Sequence, residues 1–116
     1  MKVLVYRKCS TCMKALKWLD EHNINYEERA IKEENPTYEE LKEWYTKSGL
    51  PLKKFFNTSG MLYKEMGLKD KLKDMSEDEQ LKLLATDGML VKRPLVIGDD
   101  FVLTGFREKE WSEAMH

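Results

Sequence analysis

The sequence predicts an α/β fold: a four-stranded mixed sheet flanked by helices, with a helical insert over about residues 35–88. Three observations carry this prediction. The chain opens with a strand, a helix and a second strand in close succession; its middle holds two helix signatures with matching start signals; and its last third returns to two β-rich runs before a final amphipathic stretch.

The opening run from Lys2 to Tyr6 is β-branched and aromatic. From Met13 to Asn23, Ala15, Leu16 and Leu19 then recur at helical spacing. "INYEERAI" alternates in part, which makes Ile24, Tyr26 and Ile31 the expected inward residues of a second strand. A strand, helix and strand of these lengths form a βαβ unit, so the two strands should pair in parallel with a right-handed crossover.

The texture changes at Asn35. In "NPTYEELKEWYTKSG", Thr37 and Glu40 have capping-box spacing, Leu41, Trp44 and Tyr45 share a face, and Gly49 marks the stop. "SEDEQLKLLATDG" repeats the signature with Ser76 and Glu79, an apolar face of Leu81, Leu84 and Ala85, and Gly88 as the expected C-terminal glycine. Between them, "NTSGMLYKEMGLKDKLKDM" reads as short helical turns broken at Gly60 and Gly67. The aromatics Trp44, Tyr45, Phe55, Phe56 and Tyr63 are read as core residues rather than as a partner surface. Late in the chain, Leu95–Ile97 and Phe101–Leu103 are joined by Gly98, Asp99 and Asp100, which is hairpin chemistry, and "REKEWSEAMH" closes as a helix.

Composition bounds the function. A chain of 116 residues suits one domain spanning 1–116. With 20 Lys and Arg against 21 Asp and Glu, no global basic field draws nucleic acid directly. No apolar run approaches the ~18–20 residues of a membrane span, and the apolar start is too short for a secretory signal. A cytoplasmic location is therefore expected. A structural disulfide is disfavoured in such a compartment, so a close pair of cysteines there points to redox or metal chemistry.

Both cysteines of the chain lie in "CSTC", where the first strand feeds the first helix. Cys9 falls at the helix start, where free backbone N–H groups and the helix dipole favour an anion. Three residues on, Cys12 shares its face and is within reach. Arg7, Lys8 and Lys14 add positive charge nearby, which is expected to lower the Cys9 pKa. In this scheme Cys9 is the nucleophile and Cys12 resolves the adduct into a disulfide. Two other readings stand beside it. A zinc half-site needs further ligands, for which the chain offers only His22 and His116, so no metal is expected. A pair of inert buried thiols is the other. For Pro94 the residues leave open a cis proline beside the thiols or an ordinary trans proline at a strand start, and for Arg93 an anion ligand or a solvated charge.

"YRKCSTCMKA", "KEENPT", "FFNTSGMLYKEMGL" and "MLVKRPLVIGDDFVLTGF", in that order, resemble the ArsC/Spx family, and the match covers nearly the whole chain. That family comprises glutaredoxin-linked arsenate reductases, Spx-type transcriptional regulators and many small proteins without an assigned role. The resemblance implies a thioredoxin-like fold with an inserted helical region. Cys9 then matches the family's nucleophile and Cys12 the second cysteine of Spx-type members. Arg93 matches the arginine of the "RP" segment that binds an oxyanion in the reductases, and Pro94 the cis proline of thioredoxin-like folds. The resemblance also implies no bound cofactor, with glutathione, glutaredoxin or thioredoxin as the electron donor.

Departures from the family pattern fall at the anion site. Reductases place an arginine after the threonine of the insert, where this chain has Ser59, and their late arginine follows a glycine directly, whereas "GFR" displaces Arg107 by one residue. Spx-type regulators bind the RNA polymerase α subunit through a surface containing a glycine, where this chain has Pro51. The sequence therefore gives as its main expectation a thiol-disulfide oxidoreductase of arsenate-reductase type. In it Arg7, Lys8, Ser10, Thr11, Arg93, Pro94 and Arg107 frame a small oxyanion or disulfide substrate. The alternative expectation is a redox-responsive regulator that binds the polymerase α subunit.

Overall fold

The computed structural model describes residues 1–115; His116, one of the two histidines weighed as metal ligands, lies outside the described residues. In chain order the elements are β1 (Lys2–Val5), α1 (Ser10–Glu21), β2 (Glu27–Ala30), α2 (Tyr38–Ser48), α3 (Met61–Glu65), α4 (Leu68–Lys71), α5 (Glu77–Leu84), β3 (Leu95–Ile97), β4 (Val102–Thr104) and α6 (Glu108–Ala114). Short 3-10 turns occupy Leu52–Phe55, Leu72–Asp74 and Gly88–Leu90. The strands form one mixed sheet in the order β2-β1-β3-β4. β1 pairs with β2 in parallel, and β1 with β3 and β3 with β4 antiparallel.

The pleat of β1 assigns the two faces. Val3 and Val5 point to one side and Leu4 to the other, and all three are buried, as a central strand covered on both faces requires. On the first side they meet α1 through Cys12, Ala15, Leu16 and Leu19, and α6 through Trp111. On the second, Leu4 and its antiparallel partner Leu95 meet the insert through Leu41, Phe55, Phe56 and Leu84. Each such fully buried side chain contributes on the order of 1.5–3 kcal/mol. The aromatic residues of the insert are core as expected: Trp44, Phe55, Phe56 and Tyr63 are buried, and Tyr45 packs half-buried against Phe55.

Both capping boxes form. Thr37 Oγ1 accepts from the Glu40 N–H while Glu40 accepts from the Thr37 N–H, and Ser76 and Glu79 do the same for α5. Gly49 ends α2 in the left-handed region at φ 66°. Arg29 on β2 then ties the sheet to the insert. Its guanidinium makes two bonds to the Glu40 carboxylate, at 2.7 and 2.9 Å, and donates to the Glu34 and Asn35 carbonyls.

Three expectations are corrected. The second strand is Glu27–Ala30, so Ile24 and Tyr26 precede it and pack, half-buried, against the α1 layer, while Ile31 follows it and is buried in the opposite one. β2 is an edge strand, and its own residues are exposed or half-buried, which hid it from a search for inward apolar alternation. Gly88 does not end α5, whose C-cap is Ala85. A Cβ at Gly88 would stand 1.8 Å from the Ile31 carbonyl oxygen, so the glycine is required by close backbone approach instead. β4 also begins one residue later than expected, at Val102.

Candidate functional site

β1 ends at Val5, and a turn through Arg7 and Lys8, closed by the Cys9 N–H donating to the Tyr6 carbonyl at 2.9 Å, delivers Cys9 as the N-cap of α1. Cys9 is half-buried and Cys12 fully buried, and both are free thiols. Their environments drive the two thiols apart. Burial disfavours the Cys9 thiolate, but the backbone N–H of Cys12, the Cys12 thiol, the Thr11 N–H and the Arg93 charge together outweigh it, and its pKa lies below the ordinary thiol value. Cys12 is pushed up to about 12, chiefly by burial in the α1 layer and also by the neighbouring Cys9 charge, with a hydrogen bond to the Tyr6 backbone opposing.

Arg93 and Pro94 come to the same place from the other end of the chain. The Arg93–Pro94 peptide is cis and leads directly into β3. The Arg93 guanidinium lies 5.2 Å from the centroid of the Tyr6 ring, on the loop that carries Cys9. Its Nη1 makes only a long contact, 3.4 Å, to the Met89 carbonyl, and its buried Nε has no partner among the described residues. A cation beside a thiolate with donor capacity to spare is suited to an anionic or thiolate-bearing ligand.

The two segments open onto a cleft of about 1070 Å³ between the sheet end and the insert, lined among others by Cys9, Thr11, Asn57, Arg93, Phe106 and Arg107. Of the other residues expected at the site, Thr11 lines the cleft, while Lys8 and Ser10 are exposed in the turn and first helical residue outside it. Arg7 is turned away towards β2: its guanidinium is bound by the Glu28 carboxylate, with Nε 2.7 Å from Oε2. The cation that acts on Cys9 is instead Arg93. Arg107 reaches the cleft from the position preceding α6, exposed and 3.9 Å from Glu110. Ser59 also lines the cleft, at the position where an arginine was looked for.

Sequence reasoning passed over Asn57, the one buried polar side chain among the described residues. Its N–H donates to the Leu90 carbonyl at 2.8 Å, Ser59 Oγ lies 3.5 Å from its Oδ1, and a Cβ at Gly60 would stand 2.5 Å from its Nδ2. The signal was a polar residue directly after the buried Phe55 and Phe56. The lysines of the cleft, Lys47, Lys53, Lys54 and Lys92, were passed over too, because they are scattered in sequence. His22 caps the far end of α1 from Cys9, stacked on Trp18, with Nδ1 2.7 Å from the Trp18 carbonyl oxygen.

Comparison with known proteins agrees with this architecture. The chain is 59% identical over 108 residues to the uncharacterised protein YusI of Bacillus subtilis, covering 93% of this chain and 92% of YusI. It is 29% identical over 105 residues to the regulatory protein MgsR of the same organism, covering 90% and 82% of the two chains. A Streptococcus mutans structure described as a possible arsenate reductase superposes with a TM-score of 0.87 at 43% identity, over 96% of each chain. The ArsC family model matches residues 4–114. A mixed four-stranded sheet of thioredoxin type, with its two cysteines at the first helix start and a helical insert facing them, thus belongs to a member of the ArsC family.

Proposed function

We propose that the protein is a small thiol-disulfide oxidoreductase in which Cys9 is the nucleophile and Cys12 the resolving thiol. The observation that carries this reading is the inequality of the two thiols. Cys9 is ionised more readily than an ordinary thiol and opens onto the cleft, while its neighbour is held protonated in the core.

With a disulfide substrate, the Cys9 thiolate attacks one sulfur and expels the other as a thiolate. The bond removes the negative charge on Cys9, and with it one of the causes that hold Cys12 protonated. Cys12 then gives its proton to the departing thiolate, and its sulfur attacks Cys9, which releases the second half of the substrate as a thiolate that takes a proton from solvent. The protein ends with a Cys9–Cys12 disulfide, two electrons having passed to the substrate. With an oxyanion of arsenate type, the Cys9 thiolate displaces a hydroxyl group, which takes a proton from solvent and leaves as water; Cys12 then loses its proton to solvent and attacks the Cys9 sulfur, and the electron pair of the broken sulfur–arsenic bond leaves with arsenite. Arg93 and the N–H groups of Thr11 and Cys12 stabilise the negative charge in either case. A thiol donor of glutathione, glutaredoxin or thioredoxin type restores the dithiol.

Trapping tests the assignment. After exposure to oxidised glutathione, Cys12→Ser is expected to hold a mixed disulfide on Cys9, wild type to pass through it to the internal disulfide, and Cys9→Ser to hold neither. A stable adduct on Cys12 in Cys9→Ser, formed at the wild-type rate, refutes the roles.

A second reading rests on the paired cysteines together with the similarity to MgsR: a redox-responsive regulator whose disulfide alters a surface for the RNA polymerase α subunit. Pro51, exposed at the start of the 3-10 turn on the cleft rim, offers no backbone N–H for such a contact. Titration of the labelled α C-terminal domain into reduced and oxidised protein decides it, and absence of binding in both states removes the reading.

A further inference from the structure

The cleft is far larger than a tetrahedral oxyanion requires. At about 1070 Å³ it slightly exceeds the ~300–1,000 Å³ of sites that enclose a drug-sized ligand. Its charge is also unlike that of the rest of the chain. Lys47, Lys53, Lys54, Lys92, Arg93 and Arg107 line it, against the carboxylates of Asp100 and Glu110 alone. Subtracting these from the totals of 20 and 21 leaves fourteen cations against nineteen acids elsewhere, so a basic cleft is set in an acidic molecule.

The fold fixes the backbone that carries these cations. Lys53 and Lys54 project from a 3-10 turn whose flanks, Leu52 and Phe55, are buried. The Lys92 N–H donates to the Phe55 carbonyl at 2.8 Å, which fixes its backbone beside that turn, and Lys47 Nζ donates to the Gly98 carbonyl at 2.7 Å. Among the described residues, no carboxylate lies within ion-pair distance of Lys47, Lys53, Lys54, Lys92 or Arg93. On the remaining wall, the buried Asn57 carboxamide and the Ser59 hydroxyl offer neutral hydrogen-bonding groups of the kind a peptide main chain uses.

We propose that the cleft is a docking groove for an acidic polypeptide segment, one in which Asp and Glu flank the cysteine presented to Cys9. The inference deepens the oxidoreductase reading and rests on it for the reacting thiol. Binding of the segment depends only on the groove. The expected partner is thus a protein disulfide with an acidic surround. Cys9 attacks one sulfur of the partner disulfide and the other leaves as a thiolate that takes the Cys12 proton; Cys12 then displaces the bound sulfur as a thiolate, which solvent protonates, and two electrons pass to the partner.

Binding and chemistry are tested separately. Fluorescence anisotropy of three labelled, cysteine-free peptides of equal length, one rich in Glu, one neutral and one rich in Lys, is measured on the reduced full-length protein. The Glu-rich peptide is expected to bind at least ~10-fold more tightly than the neutral one in low salt, with the preference shrinking as added salt shortens the Debye length below ~10 Å. The triple variant Lys53→Glu, Lys54→Glu, Lys92→Glu should abolish that preference. Lys69→Glu, Lys71→Glu, Lys73→Glu, which makes the same change of charge on the exposed surface of α4 and the 3-10 turn after it, should retain most of it. No preference for the Glu-rich peptide, or equal losses in the two triple variants, overturns the groove. The same peptides bearing a cysteine as its pyridyl disulfide then report the chemistry through release of thiopyridone. Acidic peptide that binds but reacts no faster with wild type than with Cys9→Ser supports the groove and refutes the oxidoreductase reading. The pyridyl disulfide of glutathione reacting as fast as that of the acidic peptide overturns the polypeptide as the occupant.

Discussion

Raising the pH in the presence of an alkylating agent separates the two thiols, and the structure fixes by how much. Only the thiolate reacts at an appreciable rate. Cys12, held at about 12, is ionised at pH 8 to the extent of ~10⁻⁴. Cys9 lies below the ordinary thiol value, so at the same pH at least about a tenth of it is thiolate. The ratio of reactive forms exceeds ~10³ before exposure is counted, and Cys12 is also fully buried while Cys9 borders the cleft. Pulse alkylation of the reduced protein across pH 6–10, followed by digestion and mass spectrometry of the peptide holding both cysteines, reads the two rates. Cys9 is expected to be modified alone, with a rate that levels off before that of a model thiol does. Replacement of Cys12 by Ala removes one group that stabilises the Cys9 thiolate and should move the Cys9 profile to higher pH. Comparable labelling of both cysteines at pH 8, or labelling of Cys12 first, refutes the reasoning.

Three further outcomes follow from named contacts. Arg93→Gln removes a charge that favours the Cys9 thiolate, so Cys9 alkylation at pH 7 should slow by about 3–10-fold and recover at pH 10, where the thiol is ionised in any case; a uniform slowing across pH contradicts the electrostatic role. Arg29, assisted by the Thr37 N–H against an opposing cost of burial, holds the Glu40 carboxyl at about 2, so the stabilisation is present above the ordinary carboxylate value and lost as pH falls towards 2. Glu40→Gln should therefore cost about 1–2 kcal/mol at pH 7, the partial exposure of the pair being allowed for, and the difference in Tm from wild type should vanish near pH 2. Gly88→Ala would drive a methyl group to 1.8 Å from the Ile31 carbonyl oxygen and should lower stability by about 3 kcal/mol or more in a denaturant titration, whereas unchanged stability would show that Gly88 was not constrained.

The parts of the fold encoded by local pattern were legible in the sequence. The capping boxes at Thr37 and Ser76, the stop at Gly49 and the hairpin around Gly98 form where they were read, because each depends on residues a few positions apart. β2 was displaced because an edge strand gains most of its order from the ladder to β1 rather than from an apolar face of its own. Gly88 looked like a helix terminator, but its constraint comes from Ile31, which the sequence does not place beside it. At the site, the helix-start position of Cys9 was legible and Arg93 was among the expected residues, while the loss of Arg7 from the site was not. Arg7 is near in sequence yet is captured by Glu28 across the β1–β2 pair, and Arg93 acts through the sheet. The cleft lysines come together only when the insert folds against the end of the sheet, so no spacing announces them.

The central claim is that Cys9 starts and Cys12 completes a two-electron transfer, and a time course of intact mass tests it most directly. Fully reduced protein is mixed anaerobically with arsenate in one vessel and oxidised glutathione in another. Loss of two hydrogens from the wild-type chain is expected with at least one of them, through a Cys9 adduct that persists only in Cys12→Ser. An unchanged mass with both oxidants, or the same loss from Cys9→Ser, contradicts it.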